Sequence, residues 1–212
     1  MRWPADRRAA GGGKEQVMAK VIADITVSLD GFVTGPGAGL ERGLGVGGDA
    51  LHTWALEPDA IDQAVLEESV GATGVVIMGR RLFDIIDAPS GWNDEMGYGA
   101  GLAAEPPVLV VTRNPPDEVR LADRMTFVVD GIASAVAKGI AMAEDRNVVI
   151  MGGGETIRRA IEADVVDELR LHVAPLLLGA GTPLFTDATP RTLRQIHVQA
   201  SGHATHLTYR LN

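Results

Sequence analysis

A chain of 212 residues and 22.3 kDa, 46% of them hydrophobic, can bury about 70% of its unfolded surface and form one compact domain, with no second domain required. The net charge of −9 argues against general nucleic-acid binding, and the absence of cysteine excludes disulfides and thiolate metal sites while fitting a reducing cytoplasm. No apolar run approaches the roughly 20 residues that span a bilayer and no signal-peptide core opens the chain, so a soluble, cytoplasmic protein without a membrane partner is expected.

Residues 1–17 carry Arg2, Arg7, Arg8, Lys14 and a Gly11-Gly12-Gly13 run without apolar periodicity, which predicts a disordered tail ahead of a domain over 18–212. Met18 precedes the first strand pattern and is a candidate natural start. Val21 to Leu29 reads as a strand ending in the turn Ser28-Leu29-Asp30-Gly31. Residues 35–48 hold seven glycines, which predicts a mobile loop over a site. Its Gly43-Leu44-Gly45-Val46-Gly47-Gly48 satisfies a dinucleotide-binding spacing but follows no strand, so that reading is set aside. Pro58 to Val70 has a helical pattern. Val75 to Met78 is a buried strand that delivers Gly79-Arg80-Arg81 to a short helix over Leu82 to Ile86, and Pro89 to Pro107 reads as irregular.

Val108 to Val111 is a second buried strand and delivers Thr112-Arg113-Asn114. Met125 to Val129 follows as a strand, then a helix from Ile132 to Ala143 opened by Asp130 or Ser134 as cap. Val148 to Met151 empties into Gly152-Gly153-Gly154-Glu155-Thr156 and a helix over Ile157 to Ala163. Glycines there let backbone approach a ligand, and the amides of a starting helix favour an anion. Glu168 to Ala174, Thr192 to Ala200 and His206 to Leu211 are strands with partial alternation.

Three continuous apolar strands, each ending in small or basic residues, imply a parallel sheet covered by helices, with antiparallel strands at its C-terminal edge. Ligands bind beyond the carboxyl ends of such strands, so Gly79 to Arg81, Thr112-Arg113 and Gly152 to Thr156 are candidates to line one crevice. Arginines at a helix start oppose its dipole, which an anion nearby would explain. Solvated surface arginines and a ligand-free glycine turn are the alternative. His172, His197, His203 and His206 form no ligand quartet in the sequence, so no metal is expected. Trp54 and Trp92 are candidates to stack on a flat heterocycle, with core packing as the other use.

The ordered series Ile25-Thr26-Val27-Ser28-Leu29-Asp30-Gly31, Val76-Ile77-Met78-Gly79-Arg80, Val110-Val111-Thr112-Arg113-Asn114, Met151-Gly152-Gly153-Gly154-Glu155 and Ala174-Pro175-Leu176-Leu177-Leu178-Gly179 resembles the dihydrofolate-reductase-like superfamily. It is most similar to the reductase (C-terminal) domain of the bifunctional riboflavin biosynthesis protein, over nearly all of residues 19–212. The resemblance implies a single α/β domain that binds NADPH, often as a homodimer, and passes hydride to a small heterocycle, as in reduction of 5-amino-6-(5-phosphoribosylamino)uracil. It also implies that Gly79, Arg80 and Arg81 meet cofactor phosphates, Thr112 and Arg113 the adenosine 2′-phosphate, and Gly153 to Thr156 the pyrophosphate. Asp30, with Ser28 beside it, becomes the candidate proton relay, the alternative being a turn aspartate. Two positions depart from the family pattern. Phe32 stands where the riboflavin reductases usually carry a basic residue, and Leu82 where threonine is common. Dihydrofolate-type pterin reduction, which needs a carboxylate near Asp59 or Asp62, and a non-catalytic nucleotide- or flavin-binding protein are the alternatives.

Overall fold

The computed structural model describes residues 19–89, 91–93, 95–100, 105–186 and 189–211, so the tail expected over 1–17 and the start at Met18 lie outside the described residues. Strands β1 (Val21–Ser28), β3 (Thr73–Gly79), β4 (Val108–Val111), β5 (Met125–Val128), β6 (Asn147–Gly152), β7 (Glu168–Ala174), β9 (Arg194–Ala200) and β10 (Thr205–Arg210) form one sheet in the order β5-β4-β3-β6-β1-β7-β10-β9. The first six of that order are parallel, and at the edge β10 pairs antiparallel with both β7 and β9. A small ribbon pairs β2 (Phe32–Thr34) with β8 (Thr182–Pro183). The expected mixed α/β architecture is therefore present.

Its layers follow from strand alternation. On β3, Val75 and Ile77 face one core with Leu109, Ile150 and the buried stripe Ala135, Val136 and Ala143 of α4 (Ile132–Ala143), while Val76 and Met78 face a second core with Val108 and Phe83 of α3 (Arg80–Ile86). Because both faces are covered, β3 reads as an unbroken apolar run rather than an alternating one. Helix α5 (Gly154–Glu162) sets Ile157 and Ala160 into the first core. A short α1 (Thr53–Leu56) precedes α2 (Ala60–Gly71).

Several boundaries move for physical reasons. The helix expected from Pro58 begins after Asp59, whose side chain accepts from the Ile61 and Asp62 amides while Asp62 returns a bond to the Asp59 amide, a reciprocal capping box. Helices α3 and α5 start earlier than expected, at Arg80 and Gly154, because their glycines continue straight from strand to helix. The cap of α4 is Gly131 at φ +90°, with no side-chain bond, and neither Asp130 nor Ser134 serves. The glycine-rich 35–48 loop is held by its own backbone, through Gly35 N to Leu44 O, Gly39 N to Gly43 O and Val46 N to Pro36 O. That corrects the expectation that little fixes it in one conformation.

At β8 the chain needs a glycine. Gly181 has φ +138°, and a Cβ there would lie 1.9 Å from the Thr34 carbonyl oxygen. Gly181→Ala is expected to cost about 2–3 kcal/mol and lower the unfolding midpoint by roughly 5–10 °C. An unchanged midpoint in calorimetry would show that the ribbon does not constrain the fold.

Candidate functional site

A cavity of about 700 Å³ opens beyond the carboxyl ends of β1, β3, β4 and β6, where the connection order of the sheet reverses. Its floor is Ile25 and Thr26 from β1 and Met151 from β6, and β2 adds Val33 and Thr34. The glycine-rich loop covers it with Leu40 and Leu44, and His52 enters from the 3-10 turn Gly48–His52. The structure brings Gly79, Arg80, Arg81, Thr112, Arg113, Gly153, Gly154, Glu155 and Thr156 into this one lining. Gly152, the tenth expected contact, is buried behind them at φ +126°.

The groups at the β3, β4 and β6 end differ in availability. Gly153 caps α5 with extended backbone and no side chain bonds the helix start, which leaves its leading amides for a ligand. Nothing lies within 4 Å of where a Gly153 Cβ would stand, so open space adjoins this backbone. Arg80 is already engaged: its Nε pairs with Asp84 at 2.6 Å and its Nη1 donates to the Asn114 carbonyl. It therefore ties the end of β3 to the segment after β4 while remaining in the cavity lining. Glu155 pairs with Arg159 along α5, which offsets a carboxylate at a helix start that would otherwise repel an anion. Arg81 and Arg113 are exposed and make no hydrogen bond or ion pair among the described residues.

The expected relay does not reach the cavity lining. Ser28 is 1% exposed, and its hydroxyl donates to Asp30 Oδ1 at 2.6 Å while accepting from the Phe32 amide. Asp30 also accepts from the Leu178 and Gly179 amides, at 3.1 and 2.7 Å. The Ser28 bond above all, then those amides, hold its carboxyl below the ordinary value. These bonds spend the carboxylate on tying the β1–β2 turn to the segment after β7, so the turn-aspartate reading describes its surroundings.

The expected substrate contacts lie elsewhere too. Trp92 packs at the edge of the second core, under the Arg124 guanidinium. Trp54 is buried, donates from Nε1 to Thr26 Oγ1 at 2.9 Å and stacks on His172 with ring centroids 4.1 Å apart. Asp62 has no exposed surface and accepts from His206 Nε2 and His203 Nδ1, both at 2.9 Å. His206 meets His172 Nδ1 to Nδ1 at 2.7 Å, and His172 Nε2 faces Asp24 at 2.8 Å. Asp24, His172, His206 and Asp62 thus form a chain of three hydrogen bonds inside the fold. Burial would raise the Asp62 carboxyl, but bonds from Ser201, His203, the Asp59 amide and His206 outweigh it and hold it low. For His206, burial and then the neighbouring His172 push the imidazole down against the pull of Asp62.

Asp59, Asp62 and His203 place three potential ligand atoms within 4.8 Å of one another. The Asp59 carboxylate caps α2 and accepts from Gly202, and the Asp62 carboxylate is committed as above, so hydrogen bonding accounts for the grouping.

Sequence reasoning missed His52, Thr34, Thr182 and the histidine pair. One signal for the pair was present: Thr26, His172 and His206 share a register across β1, β7 and β10, which puts their side chains on one face. His52 and Thr182 sit in segments without periodicity and gave no local signal.

Comparison with known proteins adds the family. The family profile described as RibD C-terminal domain matches residues 19–207. The chain is 24% identical over 194 residues to the uncharacterized protein YwjB of Bacillus subtilis (strain 168), covering 90% of this chain and 97% of that one. Among solved structures it resembles a putative riboflavin biosynthesis protein from Shewanella sp. PV-4, with a TM-score of 0.67 and 22% identity over 91% of this chain and 99% of that one. A deaminase/5-amino-6-(5-phosphoribosylamino)uracil reductase from Thermotoga maritima matches with a TM-score of 0.60 and 15% identity, over 92% of this chain and 57% of that longer one. At these identities the structures establish the fold. No helix among the described residues is long and apolar enough to cross a membrane.

Proposed function

The chain belongs to the RibD C-terminal domain family, and from that premise we propose that it is an NADPH-dependent reductase that passes hydride to a small heterocyclic substrate, as the riboflavin-pathway reductases do. The observation that carries this reading is one cavity in which a helix start without a side-chain cap, Gly153 beside open space and two arginines without a partner among the described residues meet a largely apolar floor. Gly153, Gly154 and the leading amides of α5 would hold the pyrophosphate, and Arg81 and Arg113 the adenosine phosphate. The nicotinamide supplies the hydride when bound. The chain's own part is to hold both reactants in register and to exclude water from the reacting end with Ile25, Val33 and Leu44.

Parallel titrations with NADPH and NADH test it. Arg113→Ala is expected to weaken NADPH roughly tenfold or more and leave NADH within about twofold, because only the former carries a 2′-phosphate for the guanidinium to pair with. Equal losses for both would remove that role from Arg113, and no binding of either would remove the cofactor reading.

A second reading has one observation in its favour: Ser28 and Asp30 are committed to holding loops, as they would be in a protein that binds nucleotide without turning it over. Oxidation of NADPH in the presence of pyrimidine and pterin substrates separates the two.

A further inference from the structure

The cavity has two chemically different ends. In the order β4-β3-β6-β1, Arg113 follows β4 and Thr26 lies in β1, strands three spacings apart, about 14 Å. Every arginine in the lining, Arg80, Arg81, Arg113 and Arg159, comes from the β3, β4 or β6 side, and β1, β2 and the 3-10 turn contribute no cation. Arg42, on the glycine-rich loop, lines a shallow depression that shares Gly39 and Leu40 with this cavity, but it is not among the residues lining the cavity. Phe32, beside Val33 in β2, brings no charge to the other end either. A phosphate seated there would face Ile25 and Val33 with no counter-charge from the lining, which is expensive away from water.

What that end does offer is neutral hydrogen bonding. The His52 ring makes no hydrogen bond among the described residues, although the residue is partly buried and lines the cavity. Burial first, then the neighbouring His172, push its imidazole below its ordinary value, against a smaller pull from Asp49, so it is neutral near pH 7 and presents one donor and one acceptor. Thr26 Oγ1 accepts from Trp54 and Thr34 Oγ1 accepts from the Thr182 amide, which leaves both O–H groups free to donate. Apolar walls with a few convergent donors and acceptors suit a flat ring with an N–H and C=O edge.

We propose that the β1 end of this cavity binds an uncharged planar heterocycle, one carrying no phosphate, whose edge is hydrogen-bonded by His52 together with the hydroxyls of Thr26 and Thr34. This rests on the reductase reading for its reaction, but not for its binding. The substrate is then a free base or a nucleoside-like compound rather than a sugar phosphate, and His52 is the specificity-determining contact.

The test is calorimetric titration, with and without saturating NADPH, using 5-amino-6-(5-phosphoribosylamino)uracil and the same compound with its phosphate removed. The dephosphorylated form is expected to bind at least as tightly as the phosphorylated one. His52→Ala should weaken it roughly tenfold, as loss of one such bond implies, and His52→Gln, which restores a donor and an acceptor, should recover part of the loss. The NADPH affinity of both variants should stay within about twofold of the parent, which also reports that they fold. A phosphorylated form that binds tenfold tighter overturns the proposal, as does His52→Ala without effect, or neither compound binding. If the heterocycle behaves as expected while NADPH does not bind, the cofactor reading fails and this inference stands.

Discussion

Gly153→Val is expected to abolish measurable NADPH binding, raising Kd more than about a hundredfold, while leaving the fold intact. Gly153 has φ −64° and ψ −179°, backbone that any residue adopts, and a Cβ there meets nothing within 4 Å. The added side chain therefore stands in the open space beside the α5 start, where the pyrophosphate would approach the backbone closely. Two anion contacts at about 1.5–3 kcal/mol each account for the expected magnitude. Fluorescence titration gives the affinity and thermal unfolding gives the stability. A variant that binds NADPH normally would show that the cradle is not where the cofactor sits, whereas a large fall in the midpoint would show that the glycine serves packing instead.

Asp62→Asn is expected to show the opposite pattern, costing about 3 kcal/mol of stability and about 10 °C of midpoint with little change in NADPH affinity. The Asp62 carboxylate is fully buried and accepts from two histidines and from the Asp59 amide, so an amide in its place presents a donor where only acceptors fit. The effect also has a pH signature. The folded carboxyl titrates below its ordinary value, so its contribution is fully present above about pH 4 and is lost as pH falls through the lower folded value. Asp24, held low chiefly by His172 against the effect of its burial, acts in the same direction. The gap between parent and variant should therefore narrow below about pH 4. A gap that is constant down to pH 2, or a variant within 1 °C of the parent, would show that the histidine chain does not draw its stability from this carboxylate.

Much of the sheet was legible because a strand covered on both faces must be apolar throughout and must stop where the chain turns. Val108 to Val111 and Ile132 to Ala143 fall where the pattern puts them. The crevice was legible for the same reason: glycines and arginines stand at the carboxyl ends of these strands, and parallel strands bring those ends together. The substrate end was not legible. Its polar groups come from a 3-10 turn and a two-stranded ribbon, where no periodicity marks a residue as facing inward.

The elements, their parallel arrangement and the candidate phosphate end are set by local rules: propensity, apolar period, and glycine where backbone must come close. What each polar residue does is set by partners far along the chain. Asp62 became a buried anchor because β10 brings His206 to it from 144 residues away, and Asp30 became a loop tie because Gly179 returns to it across 149. A carboxylate in a sequence looks the same whether it is free or saturated. Only the tertiary fold sets how many donors reach it, and that number separates a group available for chemistry from one that holds the structure together.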